Sequence, residues 1–550
     1  MRPRFPWILA FGLAGCAAET PPELEHVLLV TLDTTRADVL DGSPASLALA
    51  PHIGALAAAG VRFPHAYSVA PLTLPAHASL LTGLVPPRHG LRDNGREALA
   101  AEAKPLAESL AGAGFATAAF VSSVVLDRGF GLAQGFELYD QPELDRSERH
   151  AHAERPAHAT VRAALDWLAA RRDQRPFFLW VHLYDAHLPY EPASEHLERA
   201  GGDPYRGEIA ALDEAVSELL AGLERAHALA TTLVVLTADH GESLGEHGEP
   251  THGALCYEST MRVPLLFRFP GVQPEPGPAH FASLVDVTPT VLARFGLEPT
   301  GELDGIDLFA PDGPAGRGVY LESLSGYFHY GWSPLVGWLD TRGKYLHSSQ
   351  PEFYLPLQDP AERVDLASSH GHEAQLALAN LARLTTRTTL LGAPRSASAA
   401  LEEALGALGY ARGASESAPD LLAASTLPAP RARAHELAPL LRAHALLEAG
   451  RFAECLPLAS EITRENPGHT LALDLEALCL MQLHDFRQAE AILRRRIALE
   501  ELADGRLNLG LCRFELGDPE EAQRELERAR ELAPESPEIA RELARVRARL

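Results

Sequence analysis

The sequence predicts an α/β domain, built on a mostly parallel sheet with helices on both faces, followed by an all-α repeat domain. Three observations carry that expectation. From about residue 26 to residue 395, short continuous apolar runs alternate with helical patterns, as strands buried on both faces do when helices cover them. Residues 412–430 are rich in Ala, Ser and Pro and lack a sustained apolar period, which reads as a linker. Beyond it the pattern is purely helical, and Phe452, Phe486 and Pro519 recur at separations of 34 and 33 residues, a period of helix–turn–helix units. The chain therefore divides into a leading segment at 1–16, the α/β domain at 26–411, the linker at 412–430 and the repeats at 431–550.

The elements follow in order. His26–Leu32 is continuous and β-branched, a buried strand that ends at Asp33. Phe177–Leu183 is a second and 232–237 a third, the latter preceded by an amphipathic helix around 206–226. A fourth run at 263–268 contains Pro264, the mark of a strand start. In such a sheet, ligands bind beyond the carboxyl ends of the strands, where Asp33 and the Asp239-His240 pair arrive together. In the helical part the best repeat copy comprises 507–510, 516–518, Ala522 and Pro534, and Pro467 closes the first repeat. About three tetratricopeptide-like repeats and a final helix near 536–549 satisfy the minimum for a stable stack, whose concave surface suits a protein partner.

Charge and the amino terminus narrow the partners. Lys and Arg number 48 against 74 Asp and Glu, a formal charge of −26, which excludes the basic stripe of a nucleic-acid binder. An anionic substrate must then be drawn by a local cation such as bound metal. Arg2 and Arg4 precede a short apolar run, 7–14, too short to span a bilayer, so the segment reads as an export signal. Its Leu-Ala-Gly-Cys end resembles the bacterial lipobox, which implies a lipoprotein of the cell envelope tethered to the membrane through lipidated Cys16. Ala17, rather than Asp, points to the outer membrane in a Gram-negative host. Cys256, Cys455, Cys479 and Cys512 show no C-x-x-C metal spacing, and the three on C-terminal helices read as buried thiols.

Four stretches hold the chemistry: Leu-Asp-Thr-Thr-Arg at 32–36, Thr-Leu-Pro-Ala-His-Ala-Ser-Leu-Leu-Thr-Gly at 73–83, Tyr-Asp-Ala-His-Leu-Pro at 184–189, and Thr-Ala-Asp-His-Gly-Glu-Ser-Leu-Gly-Glu-His at 237–247. His252 follows closely. Asp33, Asp239 and His240 offer two carboxylates and an imidazole, a mixed set suited to Mn, Zn, Mg or Ca. A Thr73 hydroxyl is hardly ionised at neutral pH, but joining the same cation would lower its pKa and aim it at phosphorus or sulfur. Thr73 also opens a helix-like run, whose N-terminus would add backbone donors for an anion. Plain capping is the alternative for both Asp33 and Thr73.

These stretches resemble the sulfatase-like group of the alkaline phosphatase superfamily. Its signature, C/S-x-P-x-R-x-x-x-x-T-G, is matched at Pro75, Thr82 and Gly83, and its A-D-H-G-E-x-L-G-E-H run at 238–247. Stretches at 86–90, 286–290, 351–360 and 408–410 look similar too, so the resemblance covers about 26–410. It implies the alkaline-phosphatase/sulfatase-like fold, with metal ligands Asp33, Thr73, Asp239 and His240. It also implies that His187 contacts the esterified group. His252 stands where many members have a lysine and would protonate the leaving group. A second metal at His187 and His252, with Asp185, is the other reading of those histidines. His77 replaces the arginine that anchors the sulfatase nucleophile, and is expected to bond the nucleophile or substrate, or to support the loop. Asn94 is divided between substrate contact and a turn. Arg36 is expected to hold Asp33, and His247 stands between ligand and support.

The departures concern the reaction. Thr73 occupies the position of the cysteine or serine that sulfatases oxidise to formylglycine, and threonine cannot give that aldehyde. Thr34 replaces the second acid of the usual pair. Relatives with threonine nucleophiles, such as nucleotide pyrophosphatase/phosphodiesterases and phosphoethanolamine transferases, act on phosphorus. The expectation is a metal-dependent hydrolase that cleaves phosphoesters or phosphodiesters, or transfers phosphoryl groups. A sulfuric ester hydrolase without formylglycine is the alternative, and a catalytically weak envelope scaffold a further one. Buried unpaired carboxylates have no use in a scaffold, which weighs against the last.

Overall fold

The structure is a computed structural model that describes residues 23–143, 154–271, 280–310, 317–385, 387, 389–390, 401, 419–534 and 536–550. The expected export signal with Cys16, the 408–410 stretch and residues 412–418 of the expected linker lie outside the described residues.

Ten strands belong to the larger part: His26–Leu32 (β1), Val61–Arg62 (β2), Ala66–Tyr67 (β3), Ala116–Phe120 (β4), Leu138–Asp140 (β5), Phe177–Leu183 (β6), Thr232–Ala238 (β7), Arg262–Val263 (β8), Leu265–Arg268 (β9) and Ala282–Ser283 (β10). Among the described residues seven form one sheet, ordered β2-β9-β7-β1-β6-β4-β5. The five strands from β7 to β5 are parallel, and β9 is antiparallel to both of its neighbours. Pro264 divides the run at 263–268, since it has no N–H to give a ladder. Accordingly β8 joins β3 and β10 in a small separate sheet, and β9 alone extends the main one.

Strands β1, β6 and β7 are buried on both faces. Thr73–Thr82 (α1) and Val287–Arg294, which we call α4, pack with Val27 and Leu29 on one face. Ala157–Ala170 (α2) and Pro204–Arg225 (α3) pack with Leu28, Val30 and Leu32 on the other. The α3 helix begins where Asp203 accepts from Arg206 N and Pro204 fills the first turn. Register sets Leu32 level with both Leu183 and Ala238, so Asp33, Tyr184 and Asp239 leave the sheet at one edge.

The apolar alternation hid a second layer. Val319–Ser323 (β11), Leu335–Asp340 (β12), Gly343–His347 (β13) and Glu352–Tyr354 (β14) form an antiparallel meander. These strands are buried on nearly every residue, which erases the period of two that marks a half-exposed sheet. Ser325–Tyr330 (α5) follows β11, and Gly371–Thr385 (α6) packs Ala377 and Leu381 against the meander.

Seven helices make the repeat stack: Leu437–Glu448 (α7), Phe452–Glu465 (α8), Thr470–Gln482 (α9), Phe486–Leu499 (α10), Ala503–Glu515 (α11), Pro519–Leu532 (α12) and Pro537–Arg547 (α13). Phe452, Phe486 and Pro519 each open the second helix of a pair. All four cysteines among the described residues are buried free thiols. The stack docks on the meander side. Asn466 Nδ2 donates to Tyr330 O at 2.7 Å, and Thr470 Oγ1 to His329 O at 2.9 Å. Gly331, at φ +67°, meets Gly468 so closely that a Cβ would lie 2.8 Å from its carbonyl oxygen. Among the described residues no helix is long and apolar enough to cross a membrane.

Candidate active site

The site forms where β1 and β7 end opposite the start of α1. All ten residues of α1 are buried. The helix begins at Thr73, where Asn94 Oδ1 accepts from Leu74 N at 2.9 Å, and ends at Gly83, whose φ of +71° closes it by a left-handed turn. Thr73 Oγ1 lies 3.5 Å from Asp33 Oδ2 and 3.4 Å from His240 Nε2. Single ligand atoms of Asp33, Asp239 and His240 lie within 4.8 Å of one another, a grouping that can hold a metal ion.

Two buried carboxylates side by side repel. Burial pushes Asp33 up to about 6, and burial with the neighbouring Asp33 charge raises Asp239. Asp33 Oδ1 and Asp239 Oδ2 are buried without a hydrogen-bond partner, which a cation between them would correct. His240 Nδ1 faces the Gly241 carbonyl at 2.9 Å. That acceptor takes the Nδ1 proton and leaves the Nε2 lone pair toward the cluster. The donor chemistry thus fits a divalent cation.

A surrounding set of buried groups fixes these ligands. His182 Nδ1 accepts from Ser122 N, so its Nε2–H donates to Asp33 Oδ2 at 3.0 Å and leaves Oδ1 free. Thr34 N donates to Asp239 Oδ1 at 3.3 Å. Trp180 Nε1 donates to Thr31 Oγ1 at 3.0 Å, Thr31 lies 3.1 Å from His77 Nε2, and His77 Nδ1 donates to Thr73 O at 2.7 Å. Burial holds His77 down at about 3 and His182 at about 4, so both are neutral supports near pH 7. His77 therefore meets the main chain of Thr73 and, at 3.6 Å, Asp239 Oδ2, rather than the Thr73 hydroxyl.

His187 and His252 stand on the open side. The His240 and His252 rings are 4.6 Å apart, and His252 and His187 5.0 Å. His252 Nδ1 lies 2.9 Å from Glu242 Oε1, and Tyr190 OH donates to Glu242 Oε2 at 2.8 Å. Burial pushes Glu242 up to about 8 and drives His252 well down. The 2.9 Å contact lets a proton pass between Glu242 Oε1 and His252 Nδ1.

Several expectations change. Asp185 accepts from Ala157 N at 2.8 Å and caps α2, which turns it away from a second metal with His187 and His252. Arg36 binds Asp38, Glu246 and the Glu242 carbonyl rather than Asp33, and so ties the loops after β1 and β7 together. His247 stacks on Tyr257 at 3.7 Å and bonds Ala361 O, as a support. Asn94 caps α1 and keeps a buried, unpartnered Nδ2 donor. Sequence reasoning missed His182 and the role of Glu242. A lone histidine in an otherwise apolar strand was the available signal for the first.

A buried acid–imidazole cluster that could hold a metal ion, with a hydroxyl beside it, at the carboxyl edge of a doubly covered sheet, defines the class: an α/β protein with a candidate metal site at its strand ends. Residues 25–297 match the Sulfatase family model and residues 503–546 a tetratricopeptide repeat model. Arylsulfatase A of Homo sapiens is 29% identical over 364 residues, covering 54% of this chain and 68% of that protein. Choline-sulfatase of Rhizobium meliloti (strain 1021) is 26% identical over 435 residues, covering 62% and 82%. The crystal structure of the phosphonate monoester hydrolase of Agrobacterium radiobacter shares the fold with a TM-score of 0.53 at 21% identity, covering 66% of this chain and 94% of that one. The chain carries a sulfatase-family hydrolase domain of the alkaline phosphatase-like superfamily, joined to C-terminal tetratricopeptide repeats.

Proposed function

We propose that the protein is a metal-dependent hydrolase that cleaves phosphoesters or phosphodiesters, or transfers the phosphoryl group, with Thr73 as nucleophile. The observation that carries this reading is the Thr73 hydroxyl, 3.5 Å from Asp33 Oδ2 and 3.4 Å from His240 Nε2 inside a buried cluster. A bound divalent cation (Mn, Zn, Mg or Ca), held by Asp33, Asp239, His240 and Thr73, would lower the Thr73 pKa and offset charge on the transferring group.

The residues divide the remaining work. His77 and Asn94 hold the first turn of α1, and so fix where Thr73 Oγ1 points. Thr73 Oγ1 gives its proton to Asp33 Oδ2 and bonds to phosphorus as the bond to the leaving oxygen breaks. His252 Nε2–H protonates that oxygen, while Nδ1 takes the proton of Glu242. Water then attacks phosphorus and gives a proton to His252 Nε2 while Nδ1 returns one to Glu242; the Thr73–phosphorus bond breaks and Asp33 returns the proton to Oγ1. His187, beside His252, contacts the esterified group.

Sulfate-ester hydrolysis is the second reading, favoured by relatives such as arylsulfatase A and choline-sulfatase. The test is to load the purified chain with each cation and assay aryl sulfate, phosphate monoester, phosphodiester and phosphonate substrates. Thr73→Ala is expected to lose at least ~10³-fold in kcat/KM on the true substrate. Full turnover by that variant would sink the mechanism, and robust sulfate-ester cleavage by the wild type would move the reaction to sulfur. Two further proposals follow from the sequence. The repeats offer a surface to a protein partner, and lipidation at Cys16 places the enzyme at the cell envelope. Labelling with a fatty-acid analogue in cells, lost in Cys16→Ser, checks the second.

A further inference from the structure

Beside the centre lies a pocket of about 410 Å³, within the ~300–1,000 Å³ of small-molecule sites. Its inner end is formed by His187 and His252, the rings beside the catalytic cluster. Leu72, Leu188 and Pro189 cover the catalytic-domain side. The facing wall comes from the repeats: Leu437 and Leu441 of α7 and Leu471 of α9. That wall is held in place at the docking contacts, where Asn466 and Thr470 bond the carbonyls of Tyr330 and His329. Leu441 remains 38% exposed, an apolar side chain left uncovered beside the pocket.

Two polar atoms in the lining have no partner. His329 Nε2 is held by Asp93 Oδ2 at 2.7 Å, while its Nδ1 is buried and unpaired. His444 Nε2, on α7, is likewise buried and unpaired. Glu154, Glu249, Thr251, Ser325 and Glu448 share the lining with these leucines, and a wall of that mixed kind orients a ligand that carries both an apolar face and polar groups.

We propose that the first repeat, with the start of α9, is a wall of the substrate pocket, and that the ester's leaving group is a bulky alcohol with an apolar face against Leu437 and Leu441 and a polar group facing His329 and His444. The repeat region then selects the substrate as well as offering its outer surface to a partner. This rests on the reading that the centre cleaves an ester, but the free alcohol can be tested without turnover. Fluorescence titration of the full, Mn-loaded chain with 4-methylumbelliferone should show saturable binding. Leu441→Asp and Leu441→Trp, one polar and one obstructing, should each weaken it about tenfold, and His444→Ala about threefold. Leu499→Asp, at an exposed position on α10 outside the pocket lining, is the folded control expected to bind as wild type does. No saturable binding by the wild type, or wild-type affinity in both Leu441 variants, would overturn the proposal. Turnover of 4-methylumbelliferyl phosphate and sulfate, run alongside, reports separately on the Thr73 mechanism.

Discussion

Glu242 and Glu249 illustrate how burial shapes individual residues here. In the proposed reaction Glu242 supplies the proton that His252 needs, and Tyr190 stabilises the charged form of Glu242 by donating to Oε2. Activity on esters with poor leaving groups should therefore fall as pH rises through about 8, where the Glu242 proton is lost. Tyr190→Phe removes a bond that favours the carboxylate, so this alkaline limb should move to higher pH in a kcat/KM profile. A downward shift would refute the relay. Glu249 accepts from Ala254 N and Leu255 N and is pushed up to about 8 by burial. The folded state then holds a proton that the unfolded chain, with an ordinary value of about 4.3, has released. Stability from this group is present at low pH and declines between about pH 4 and 8. Glu249→Gln keeps the acceptor and removes the charge, so its melting temperature should exceed that of wild type at pH 8.5 and match it near pH 4.

Helix α1 is the element on which the centre depends, and both of its ends are specified by remote partners. At its start, the Trp180–Thr31–His77 chain reaches the Thr73 carbonyl. Thr31→Val strands Trp180 Nε1 and His77 Nε2 in the interior, at a cost of about 1–3 kcal/mol by denaturant titration. It should also lower kcat more than it raises KM, because Thr73 is displaced while the pocket is not. At its end, Gly83 is left-handed, and a Cβ there would meet Leu303 at 3.3 Å and Val285 O at 3.4 Å. Gly83→Ala should destabilise by about 1 kcal/mol or more in thermal unfolding. An unchanged melting temperature would show that the turn tolerates a side chain.

Across the molecule, the repeat stack is not a loosely tethered appendage. Asn466 Nδ2 reaches both Tyr330 O and Glu436 Oε2, Trp332 Nε1 donates to Glu436 Oε2, and Gly331 abuts Gly468. Asn466→Ala removes both of its bonds at the junction. It should split a single calorimetric transition into two and speed proteolysis between the domains. One unbroken transition would mean that docking does not depend on this residue.

The sequence by itself determined the strands β1, β6 and β7, helix α3 within two residues, the period that opens α8, α10 and α12, and the arrival of Asp33, Asp239 and His240 at one edge of the sheet. Each is written in local periodicity, or in a polar residue directly after an apolar strand, so neighbours along the chain suffice to reveal it. Tertiary structure alone decided that His182 holds Asp33 across 149 residues, that Glu242 backs His252, that Asp185 caps α2, and that α7 walls the pocket. Those pairings depend on strand register and on how separate layers pack, and neither leaves a periodic trace along one chain.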